Sequence, residues 1–192
     1  MSLPEDVLFG LLLGFSLVVP PGPMNAWIAA GAARSFRNGV VTGLGAMSAD
    51  ALLGAVVYLV DRSVDLPEVV RYVYAVGAAV MAYLAWRLWR RSPVPEPAPR
   101  ERTVYARALA LGLSNPFQVV WWLTAGIAFA YLGGLVLFLG LFGAIAVWIV
   151  AFPWAVHAGA SRHPALERGI LIASGAILLG FAVYFAGLSV LG

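Results

Sequence analysis

The chain falls into long apolar blocks separated by short polar stretches. Val7 to Ala33 carries no charge and exceeds the roughly 20 residues that a bilayer-spanning helix needs. It stops at Arg34-Ser35-Phe36-Arg37-Asn38, and a second block runs from about Gly39 to Val60 with one charge, Asp50. Asp61 to Arg71 reads as a short acidic loop. The third block, about Tyr72 to Trp89, ends with Trp86 and Trp89 as interface anchors and with Arg87 able to snorkel. Arg90 to Arg107 is polar, and its Pro93-Val94-Pro95-Glu96-Pro97-Ala98-Pro99 predicts an extended linker. From Ala108 to Val156 there is again no charge, too long a run for one helix and suited to two, turning near Tyr131-Leu132-Gly133-Gly134. A loop from His157 to Arg168 leads to the last block, Gly169 to Leu191. The pattern predicts an all-α membrane protein of six transmembrane helices in one domain, residues 1–192. Its first three-helix half is 1–89, the linker is 90–107, and the second half is 108–192.

Two of these blocks carry their own breaks. Gly14-Phe15-Ser16-Leu17-Val18-Val19-Pro20-Pro21-Gly22-Pro23-Met24-Asn25 sets three prolines inside the first. Proline removes a backbone donor and pushes the preceding residue out of the helical region. Ser114-Asn115-Pro116 interrupts the fourth span in the same way. Within hydrocarbon, broken backbone is tolerated only where buried protein or a wet cavity satisfies the freed groups. Each break is therefore either a kink filled by neighbouring side chains or part of a binding site. Gly14-Phe15-Ser16 and Gly112-Leu113-Ser114 match ahead of the breaks, and Gly77-Ala78 matches Gly175-Ala176. With three helices per half the repeat is inverted, and interrupted helices at matching positions point to a transporter site near the midplane.

Composition narrows the chemistry. The chain is 62% hydrophobic and 11% charged, against about a quarter charged in a soluble domain. All twelve basic residues are arginine, which excludes lysine-based catalysis, and the lack of cysteine excludes disulfides and thiolate metal sites. The start, Met1-Ser2-Leu3-Pro4-Glu5-Asp6, has no basic segment, so the first helix is expected to be retained. Ten arginines lie in the first loop, the linker region and the fifth loop; only Arg62 and Arg71 lie opposite. The excess of arginine marks the cytoplasmic side, which predicts a protein of the cell membrane with both termini outside. The net charge of +3 thus follows topology and implies no nucleic-acid partner.

In order along the chain, several features resemble the LysE/RhtB-type amino-acid exporters. They are Pro21-Gly22-Pro23, the spacing Gly39, Gly45 and Asp50, the third-helix ending Gly77 through Tyr83-Leu84 to Trp86-Arg87, and Asn115-Pro116. The family's frequent lysine after Asn-Pro is here Phe117-Gln118, and its polar residue after Pro-Gly-Pro is Met24, with Asn25 one place later. The resemblance implies export of small amino-acid-like solutes, driven by the proton gradient or the membrane potential.

Asp50 is the candidate that matters most. A carboxylate at the centre of a spanning helix costs about 2.5–3.5 kcal/mol, so it must face the protein interior or water. It either pairs with a substrate ammonium, takes up a proton, or is a structural acid bonded to a neighbouring helix. Asn25 and Asn115 either cap their own broken helices or touch solute. Helices restarting after Pro23 and Pro116 would offer N–H groups to a carboxylate. Pro21, Gly22, Pro23, Asn25, Asp50, Ser114, Asn115, Pro116 and Gln118 make up the expected substrate site, with Asp50 also carrying the coupling proton. Trp121-Trp122 read as packing residues, and His157 and His163 as solvated. No intramembrane Ser–His pair or second aspartate supports an enzyme, and no cofactor or metal cage is expected. The expected function is a secondary exporter of a zwitterionic or cationic solute by proton antiport. A divalent metal-ion exporter and a non-transporting scaffold are the alternatives. The sequence does not fix the oligomer; a homodimer is compatible with so small a transporter.

Overall fold

Backbone in hydrocarbon must satisfy its own polar groups, which a helix does within one segment. The computed structural model describes residues 3–19, 22–59, 66–90, 100–123, 134–162 and 164–191, and among these the chain is helical with no strand. The helices are α1 (Leu3–Val18), α2 (Pro23–Arg34), α3 (Phe36–Leu59), α4 (Leu66–Trp89), α5 (Glu101–Ser114), α6 (Pro116–Trp121), α7 (Gly134–Ala160) and α8 (Pro164–Leu191). Phe36–Val57, Val136–Ala160 and Ala165–Val190 are each long and apolar enough to cross a bilayer. Pro4–Val18 and Pro23–Arg34 pass that test as a pair, meeting at 78°. Tyr74–Trp86 is a shorter apolar helix. A sixfold count additionally reads α4 and the α5–α6 pair as spans. Large apolar side chains such as Leu12, Leu52, Leu139, Val147, Trp154 and Val183 are exposed on the outside, the surface a bilayer covers. The protein is an all-α membrane protein.

Both expected breaks are present. α1 ends at Val18 and α2 begins at Pro23, whose fixed φ suits the first helical position and whose missing N–H would have been unpaired there anyway. Pro20 and Pro21 lie outside the described residues. α5 ends at Ser114 and α6 begins at Pro116, with Asn115 between them in an extended conformation. Ser35, also extended, separates α2 from α3, and its N–H bonds to the Gly31 carbonyl at 3.2 Å.

Several boundaries differ from expectation. The linker was expected to reach Arg107, yet α5 starts at Glu101. Arg100 accepts the first helical bonds, from Thr103 and Val104, and the extra turns are held by α3. The Tyr105 hydroxyl donates to Ser48 Oγ at 2.7 Å, and Arg37 pairs with Glu101. α7 runs to Ala160 and α8 starts at Pro164, so the expected loop from His157 shrinks to a tight turn. His157, expected to be solvated, is half-buried on α7, where Nδ1 lies 3.0 Å from the Ala32 carbonyl oxygen. The carbonyl near the end of α2 supplies the partner. α4 starts at Leu66, inside the expected acidic loop. His163, the proline run at 93–99 and the turn at 131–133 lie outside the described residues.

Packing runs through small residues. Gly10 and Gly14 of α1 meet Gly140 and Ala144 of α7 so closely that a Cβ on Gly10 would strike the Leu137 carbonyl, and one on Gly140 the Val7 carbonyl. Gly45 and Ala49 of α3 meet Ala108 and Gly112 of α5 in the same manner. Small residues four apart let membrane helices approach backbone to backbone. The α1–α7 and α3–α5 crossings thus share the same pairing of small residues. α4 packs along α8, with Met81, Leu84, Ala85, Leu178 and Phe185 buried between and around them.

Candidate substrate site

The two breaks open onto one cavity of about 110 Å³. Gly22, Pro23, Met24 and Asn25 line it from the first break, Asn115, Phe117 and Gln118 from the second, and Asp50 from α3. The remaining wall is apolar, with Leu17, Ile28, Ile145, Ile149 and Phe181 contributing. Most of the residues expected at a substrate site from the sequence are thus brought together. Two described ones are not. Ser114 turns back on its own helix, bonding to the Ala110 carbonyl at 2.6 Å, and Pro116 is buried against Gly77. Pro21 lies outside the described residues.

Asp50 is 5% exposed. Gln118 Nε2 donates to its Oδ1 at 2.7 Å, and Trp122 Nε1 donates to the same oxygen at 2.8 Å. No buried polar side-chain atom among the described residues lacks a hydrogen-bond partner. Oδ2 accepts neither of these bonds, so it is the carboxylate oxygen open to the cavity. Hydrogen bonds to a charged acceptor are worth about 1.5–3 kcal/mol, which offsets part of the cost of keeping an acid at this depth. Asp50 is thereby both fixed by its neighbours and open on one side.

The asparagines divide differently. Asn25 Nδ2 donates to the Val18 carbonyl at 2.5 Å, closing the end of α1, and Oδ1 accepts from Trp148 Nε1 at 3.0 Å. Its amide stitches the first break and ties it to α7. Gly22, ahead of α2, makes no side-chain cap, and its carbonyl accepts the first helical bond from the Ala26 N–H at 2.9 Å. Asn115 Oδ1 caps α6 by accepting from the Phe117 N–H at 3.2 Å. The residue is 3% exposed, and with no buried atom unpartnered its amide nitrogen is the end left facing the cavity. Gly22, Asn25 and Trp148 also line a second cavity of about 310 Å³ bounded by α2, α7 and α8, so the Asn25–Trp148 bond stands between the two spaces.

Sequence reasoning missed Trp122 and Trp148. Trp122 is fully buried, stacks on Phe138 and Phe142 at 6.1 and 6.4 Å, and also donates to Asp50. A tryptophan N–H must find an acceptor when buried, and Asp50 was the only intramembrane acid. That pairing was the available signal.

A multi-helix membrane fold with a buried acid on a cavity between two broken helices is that of a solute transporter. The chain belongs to the LysE type translocator family, whose model matches residues 15–189. It is also 31% identical over 194 residues to the "Putative amino acid efflux protein YcgF" of Bacillus subtilis (strain 168), covering 91% of this chain and 92% of that protein. No solved structure matches.

Proposed function

We propose that this translocator exports a small amino-acid-like solute across the cell membrane, with Asp50 as the counter-ion of its ammonium group. The observation that carries this reading is the Asp50 carboxylate, held at Oδ1 by Gln118 and Trp122 and open at Oδ2 to the cavity between the breaks. The positive end of the α2 dipole and the Asn115 amide suit the solute carboxylate, because a helix start carries partial positive charge. The relative's name, an amino acid efflux protein, supports the same substrate class.

The proposed cycle is antiport. Ionised Asp50 binds the ammonium from the cytoplasmic side, and a proton taken up from outside then releases it, since a neutral acid no longer attracts a cation. One group serves both ligands in turn. The bundle is two inverted three-helix halves, a reading supported by the two corresponding small-residue crossings. Ten arginines in the loops assigned to one face support a cytoplasmic linker and external termini.

The test is a solute screen in reconstituted vesicles under an imposed pH gradient, wild type beside Asp50→Asn. Amino-acid movement coupled to the gradient and lost in Asp50→Asn is expected. Wild-type rates in Asp50→Asn would make the acid structural. Movement of divalent metal ions with no amino-acid movement would replace the reading with a metal exporter.

A further inference from the structure

Asp50 has a counterpart in the other half of the molecule. On α3 it follows Gly45-Ala46-Met47-Ser48-Ala49; on α7, Ile145 follows Gly140-Leu141-Phe142-Gly143-Ala144. The correspondence is structural as well as textual. Gly45 and Ala49 pack on Ala108 and Gly112 of α5, as Gly140 and Ala144 pack on Gly10 and Gly14 of α1. Asp50 and Ile145 therefore occupy equivalent positions, and both line the cavity between the breaks. One wall presents a carboxylate oxygen. The equivalent place on the other presents a fully buried isoleucine, with Leu17, Ile149 and Phe181 on the same lining. Among the lining residues Asp50 is the only ionisable one.

A site of this kind reads one positive charge. A second ammonium entering beside Ile145 would lose its water and find no acceptor, and an unpaired buried charge is strongly disfavoured. A short aliphatic group in the same place leaves no polar group unmatched.

We propose that the solute is a neutral amino acid with a short aliphatic side chain, and that Ile145 is the residue that excludes dibasic amino acids. This rests on the amino-acid-exporter reading above and narrows it.

The experiment uses the full chain reconstituted in vesicles loaded with alanine, valine, lysine or ornithine, with efflux rates compared under the same gradient. Wild type is expected to move valine at least about tenfold faster than lysine, the scale on which pockets discriminate. Ile145→Asp places a second acid opposite Asp50 and is expected to shift the lysine-to-valine ratio by about tenfold towards lysine. Because a new buried carboxylate burdens folding, Ile145→Ala serves beside it. That variant enlarges the apolar wall and should raise the rate for leucine relative to alanine. Equal wild-type rates for lysine and valine overturn the selectivity while leaving an amino-acid exporter standing. Folded Ile145→Asp and Ile145→Ala proteins with wild-type ratios overturn the role of Ile145. No movement of any amino acid overturns the exporter reading and this one together.

Discussion

At the scale of single residues, the site is arranged around which atoms are already spoken for. Asp50 Oδ1 accepts two N–H bonds and Oδ2 none of them, so Asp50→Asn can keep both bonds on its amide oxygen while losing the charge. We expect that variant to unfold in detergent within a few degrees of wild type and to lose coupled export. A large drop in its melting temperature would reassign the acid to structure. Trp122→Phe separates the two jobs of that side chain, since the phenyl ring preserves stacking on Phe138 and Phe142 and drops the donor. A loss of about 1.5–3 kcal/mol is expected from one bond to a charged group, with weaker solute binding in a titration of the purified protein. Unchanged binding would mean that Gln118 alone orients Asp50.

At the scale of elements, close helix crossings and stitched breaks carry the architecture. Gly140→Val would drive a side chain into the Val7 carbonyl and the Gly10 backbone, a collision that backbone cannot absorb by a rotamer change. We expect a destabilisation above about 2 kcal/mol, in line with overpacking at tight contacts, seen as a lower melting temperature. Gly180→Ala, where no atom lies within reach of an added Cβ, is the matched control and should leave the melting temperature unmoved. Asn25→Ala removes the amide that closes α1 at Val18 and accepts from Trp148. Its expected cost is about 1–3 kcal/mol. It should also speed leak of small solutes between the two cavities that Asn25 separates, measurable as passive efflux without a gradient.

For the whole molecule, the arginine distribution makes a topological prediction. Reporter fusions at Pro95 should read as cytoplasmic and those at either terminus as external. A cytoplasmic terminus paired with a cytoplasmic Pro95 would require an even number of spans in that half and undo the proposed inverted arrangement. The apolar outer surface, with residues such as Leu52, Val147 and Val183 facing outwards, has the composition that a bilayer demands.

Charge-free block length, proline position and arginine bias are local or one-dimensional quantities, and the chain alone determined what depends on them. These are the helical membrane class, the breaks at Pro23 and Asn115-Pro116, and Asp50 as the lone acid that had to face inwards. Only the tertiary structure decided which groups meet. Trp121 and Trp122 are neighbours of one type, and rotation of a single helix sends the second to Asp50. Asn25 and Asn115 look alike in sequence, yet one is held at both ends of its amide while the other keeps its nitrogen towards the cavity. Ile145 carries no signal as a residue type; it stands out because the α1–α7 crossing resembles the α3–α5 one and sets it at the place where α3 holds a carboxylate. Pairings between distant segments depend on helix rotation and register, which no local pattern of apolar residues specifies when a helix is apolar on every side.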